Sequence, residues 1–206
     1  DAKEEWWYPL YMKEKCPGLP NWEALKSPAC AAAFSAPETA PKGRYVGGPV
    51  TWEGFDDERV AALDLPFTVI HAGTDAAMFA ELDSAYTRQA PIMVWVYSPH
   101  WAPAKYKGEW VEFPEYSAEC YANPKVGINP DMAYDCGKPH GKIWKFSWAG
   151  MKDTWPIAYK IAKSYQVDTA ELNAMSGEID LDGKSIEEVA AAWVDANEEK
   201  WRAWAK

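Results

Sequence analysis

Three aromatic side chains and one histidine are spaced so that they could surround a small positive charge. Trp95 and Tyr97 lie two residues apart in the apolar run Pro91 to Trp101, which Pro91 opens and Ser98-Pro99 stops. Read as a buried strand, the run puts Met93, Trp95 and Tyr97 on one face and Ile92, Val94 and Val96 on the other. His100 and Trp101 follow at its C-terminal end, and Trp52 follows a second strand that ends in Gly47-Gly48-Pro49. Indole and phenol faces carry negative potential. A cation over each ring gains roughly 0.5–2 kcal/mol, most where water is excluded. A quaternary ammonium has no N–H to donate, so rings are the natural way to hold it. A zwitterion needs one more feature, a donor for its anionic end, and His100 or a backbone N–H could supply it. Any one of these rings could equally be core filling; all of them together are harder to explain that way.

Other chemistries have less to stand on. His71, His100 and His140 are isolated from one another, no G-x-S-x-G occurs, and no catalytic residue is assigned. The Gly47-Gly48 turn lacks the lysine and hydroxyl of a phosphate loop. Glu178, Asp180, Asp182 and Gly183 resemble half of a calcium loop, but Val189 stands where the closing glutamate belongs. A polar turn before a capped helix explains them better, so no metal and no cofactor is expected. The formal net charge of −10 disfavours nucleic acid. No apolar run approaches the roughly 20 residues of a membrane span.

The 206 residues fit one large domain or two small lobes, with 13 Trp and 11 Tyr against three His. The four cysteines form two local groups, Cys16 with Cys30 and Cys120 with Cys136, without C-x-x-C. Two short-range disulfides and an oxidising compartment are expected; four buried free thiols are the alternative.

The elements that must position these groups follow the order strand, helix, strand, helix, strand. Residues 44–47, 67–71 and 91–97 read as strands, with helices starting at Asp56 and Asp75 between them. That order implies an α/β layer with parallel strands, where ligands collect at strand C-terminal ends. Asn21 is placed as an N-cap for a short helix through Lys26. Residues 110–113 read as a further strand, and 143–148 as another, with Trp144, Phe146 and Trp148 on one face. The final 60 or so residues read as helices, with capping boxes at Asp168/Glu171 and Ser185/Glu188 and a last apolar stripe from Ile186 to Trp204.

Trp95-Val96-Tyr97-Ser98-Pro99-His100-Trp101 resembles the W-x-P-H-W signature of ABC-transporter substrate-binding proteins for glycine betaine, choline and related osmolytes. Tyr97 stands where the signature has its first Trp. Tyr8 to Tyr11 with Asn21 to Lys26 is similar to that family's first crossover, Gly48 to Trp52 to its cage-bearing turn, and Ala190 to Trp204 to its C-terminal helix. The resemblance implies a type II periplasmic-binding-protein fold of two α/β lobes with a hinge. Residues 1–8 would be a hinge strand, 9–142 the second lobe, and 143–206 a returning strand and helices of a first lobe whose N-terminal half is absent. It implies ligand contacts from Trp52, Trp95, Tyr97 and His100, and more weakly from Trp7. The partners would be a quaternary-ammonium or amine-oxide ligand and a membrane permease, for a periplasmic or extracytoplasmic protein, monomeric at full length. The Cys-bracketed segments and dense Trp look most like members that bind trimethylamine N-oxide. The alternative is an aromatic-platform carbohydrate-binding module or a secreted glycosidase fragment using Glu53, Glu109 and Glu112. A cage needs Trp52 and Trp95 within ring contact, at centroid spacings up to roughly 7 Å, whereas a platform tolerates twice that.

Overall fold

The computed structural model describes residues 2–205. Its strands are β1 (Lys3–Pro9), β2 (Gly43–Gly47), β3 (Phe67–His71), β4 (Met93–Ser98) and β5 (Gly108–Trp110). Its helices begin with α1 (Pro28–Ala33), α2 (Asp56–Ala62), α3 (Asp75–Thr87), α4 (Ala102–Lys105) and α5 (Ala118–Ala122). They continue with α6 (Met151–Thr154), α7 (Pro156–Ser164), α8 (Thr169–Asp180), α9 (Ile186–Ala196) and α10 (Glu198–Trp204). The chain divides into a sheet unit, residues 3–97 and 106–140, and a helical unit formed by 98–105 and the residues from 141 onward, joined by Ala2.

In the sheet unit the strand order is β3-β2-β4-β1-β5. β2 runs parallel to β3, with Gly47 opposite His71, and parallel to β4, with Tyr45 opposite Met93. These three are the strands expected to be parallel; at the edge β5 runs antiparallel to β1, with Trp7 opposite Trp110. Gly108 is small for a reason here: a Cβ on it would overlap the Trp7 indole. The core is aromatic. Trp6 stacks on Tyr45 with centroids 3.9 Å apart and meets Phe113 edge-on at 5.5 Å. Met12, Leu25, Phe34, Leu63 and Met93 complete it, each 0–2% exposed. The short helix expected after Asn21 is a 3₁₀ helix, Trp22–Lys26, with the Asn21 side chain accepting from Glu23 N.

The helical unit keeps both expected capping boxes. Asp168 accepts from Glu171 N at 2.8 Å, and Ser185 accepts from Glu188 N at 3.2 Å. The expected single last helix is two, α9 and α10, broken at Asn197, whose φ of −121° and ψ of 34° leave the helical region. The strand expected at 143–148 does not form. Trp144, Phe146 and Trp148 are 70%, 92% and 62% exposed there. Alternation encodes two faces but supplies no neighbour. The nearest strand pairing among the described residues is the bridge between Gly141 and Ala2, just before this stretch. No described helix is long and apolar enough to cross a membrane.

Candidate functional site

The parallel strands β2 and β3 end together at Gly47 and His71. A cavity of about 100 Å³ lies beside that end. One water needs roughly 10–15 Å³ on this measure, so the space suits a ligand of several heavy atoms. Gly48 and Pro49 let the chain turn off β2 into a 3₁₀ turn, Val50–Trp52. The chain then visits left-handed backbone twice, at Glu53 (φ 51°) and Phe55 (φ 54°). Non-glycine residues held there cost free energy, and such strain gathers at ligand sites. The turn lays the Trp52 ring against Gly48, where an added Cβ would stand 2.7 Å from Trp52 Cε3.

Trp52 and Trp95 form one wall, with ring centroids 5.1 Å apart and planes tilted by 59°. Trp52 remains 45% exposed. Tyr121 and Phe55 form another part of the lining, their rings 5.8 Å apart and edge-on. Tyr121 belongs to α5, and its neighbour Cys120 is joined to Cys136, as Cys16 is to Cys30.

Beneath the rings lie charges. Asp56, Arg59, Lys138 and Glu5 are each 1–5% exposed. Asp56 Oδ1 accepts from Trp6 Nε1 at 2.8 Å, Lys138 Nζ at 3.1 Å and Arg59 Nη1 at 3.3 Å, and Oδ2 accepts from the Tyr45 hydroxyl at 3.3 Å. Glu5 accepts from Arg59 Nη1 at 3.0 Å and from Lys138 N at 2.8 Å. Two carboxylates thus neutralise two cations, as burial requires. Glu4 lines the cavity itself. Burial pushes its carboxyl above the ordinary value; Lys138 and a hydrogen bond from the Trp95 side chain pull the other way.

The expected site residues therefore divide. Trp52 and Trp95 come together on the cavity. Tyr97 stands behind Trp95 at 4.9 Å, packs edge-on against Phe79 at 6.0 Å and donates to Asp75 Oδ1 at 3.4 Å. Trp7 is 1% exposed and sits over Gly108, away from the cavity lining, because the adjoining strand edge has no side chain there to displace it. His100 belongs to the helical unit. Its backbone N–H donates to Asn173 Oδ1 at 2.9 Å, and its Nδ1 accepts from Ala102 N at 3.2 Å. Burial lowers its pKa to about 4, so the ring is neutral. Sequence reasoning missed Glu4, His71, Tyr121 and Lys138 as lining groups. Of these only His71 carried a signal, its place at a strand C-terminal end.

The fold is that of a type II periplasmic binding protein. It is shared with lactococcal OpuAC in its closed complex with glycine betaine, at 18% identity and a TM-score of 0.62, over 100% of this chain and 68% of that one. An ABC-transporter choline-binding protein in complex with choline shares it too, at 18% identity and a TM-score of 0.59, over 98% and 63%. The chain belongs to the OpuAC family, the substrate binding domain of ABC-type glycine betaine transport systems, whose pattern matches residues 1–196. It is 34% identical over 208 residues to the trimethylamine N-oxide-binding protein of Pelagibacter ubique (strain HTCC1062). That match takes in 98% of this chain and 64% of the relative, so the chain spans a little under two thirds of the relative's length.

Proposed function

We propose that this chain is part of an extracytoplasmic binding protein that captures a small trimethylammonium osmolyte and passes it to the permease of an ABC importer. It binds and releases its ligand unchanged. The observation that carries the reading is the tilted pair Trp52 and Trp95, 5.1 Å apart at the mouth of a cavity sized for a few heavy atoms. Rings at 59° present faces from two directions, as a compact cation requires, and not the flat platform that would stack on a sugar. The family and the 34% identical relative support the same ligand class.

Acidic groups in the lining favour one end of the series over the other. Glu4, Glu53 and Asp56 face or border the cavity. The carboxylate of glycine betaine would meet Glu4 and Glu53 unfavourably, Asp56 being already paired with Lys138 and Arg59. An N-oxide oxygen and a choline hydroxyl carry less negative charge than a carboxylate and meet that wall more easily. Trimethylamine N-oxide is therefore the first ligand of the three, ahead of choline and then glycine betaine. Isothermal titration calorimetry of the protein against all three tests this. Saturable binding in that order is expected; heat from none of them would end the proposal, and tightest binding of glycine betaine would reverse the assignment of the acidic wall.

A further inference from the structure

His71 lies at the rim of the cavity with both ring nitrogens engaged. Nδ1 is 3.0 Å from the Gly48 carbonyl oxygen, and Nε2 is 2.8 Å from Asp57 Oδ2. A carbonyl oxygen can only accept, and so can a carboxylate. Both bonds form together only when both nitrogens carry a proton, that is, in the imidazolium. The neutral ring must give one up. Gly48 is also the residue on which the Trp52 ring rests, and Trp52 in turn meets Trp95. One line of contacts thus runs from Asp57 through His71 and Gly48 to the aromatic wall.

We infer that protonated His71 is a positioning residue that holds the Gly48–Trp52 turn in its ligand-ready geometry and couples capture of the ligand to pH. This rests on the trimethylammonium reading of the same cavity. The charged groups facing His71 come from α2, namely Asp57 and, further off, Asp56, and the lining adds Glu53, Glu4 and Lys138. Burial opposes its charge, but Asp57, the Gly48 carbonyl and Asp56 outweigh that, and the pKa stands above the ordinary 6.5. With a raised pKa, the double latch is intact at acidic pH and is lost as pH rises through the folded value. The protein would then take its ligand more tightly on the acid side of neutral than on the alkaline side.

The test has two readouts. Proton–nitrogen correlation spectra of the His71 ring, from about pH 5 to pH 9 without ligand, follow its titration. Calorimetry with trimethylamine N-oxide across the same range follows affinity. In the unmodified protein the two midpoints are expected to coincide above 6.5, with affinity falling roughly 2- to 10-fold through them. Asp57, whose side chain is 65% exposed and outside the cavity lining, provides the variant: Asp57→Asn is expected to move both midpoints down together. His71→Gln is expected to flatten the affinity step. A His71 midpoint at or below 6.5, or an affinity step unmoved by Asp57→Asn and His71→Gln, overturns the latch whether or not ligand binds. A raised midpoint with a Trp52 indole signal that shifts alongside it, but no binding of any trimethylammonium compound, keeps the latch and refutes the ligand.

Discussion

Each residue of the site acts through a short list of partners, and those partners decide what its loss does. Asp56 is the most connected: Trp6, Tyr45, Arg59 and Lys138 all converge on its carboxylate. Asp56→Ala leaves Arg59 with Glu5 but strips the buried Lys138 ammonium of its carboxylate partner, and is expected to destabilise the protein by about 3–5 kcal/mol, measured by denaturant unfolding. A cost under about 1 kcal/mol would show that water already reaches the cluster. Trp52 is different, being half exposed and resting mainly on Gly48 and Trp95. Trp52→Ala is expected to weaken ligand binding roughly 2- to 30-fold with little change in unfolding free energy. Trp52 and Trp95 were legible in the sequence because both follow strand signals, and strand ends are where an α/β sheet gathers ligands. Glu4 and Lys138 were not, because what makes them lining groups is a tertiary meeting across more than a hundred residues. Alternation put Tyr97 beside Trp95, and the two rings do meet, with centroids 4.9 Å apart.

At the scale of elements, the two disulfides offer a controlled comparison. Each closes a loop of similar length, with separations of 14 and 16 residues. Chain-entropy arguments give about 3 kcal/mol for such loops, so serine pairs at either bridge should cost comparable stability. Only the Cys120–Cys136 bridge adjoins lining residues, Tyr121 on one side and Lys138 on the other. Its removal is expected to lower ligand affinity as well, while removal of the Cys16–Cys30 bridge leaves affinity in place; equal effects on binding would contradict that assignment. Most elements could be read from sequence, because caps and punctuation are local: Asn21, Asp168 and Ser185 all cap as their side chains allow. The stretch 143–148 could not, since its alternating rings are a strand's pattern without a strand's neighbour.

For the whole molecule, the two units answer to pH through different histidines. His71 belongs to the sheet unit with a raised pKa, and His100 to the helical unit with one lowered to about 4. A depressed histidine adds stability that is present above its unfolded value of about 6.5 and is lost as pH falls toward 4. Unfolding followed at the helical unit should therefore show stability falling over that window, and His100→Gln should shallow the fall. The central claim is that rings hold a positive charge, and it can be tested by removing the charge and keeping the shape. Trimethylamine N-oxide and tert-butanol share three methyl groups and one oxygen about a tetrahedral centre, and only the former has a cationic nitrogen. Calorimetry of both on the same preparation should give saturable binding for the N-oxide and binding at least roughly tenfold weaker for the alcohol. Equal affinities would mean that the cavity recognises methyl groups by shape alone, and the cation cage would be wrong.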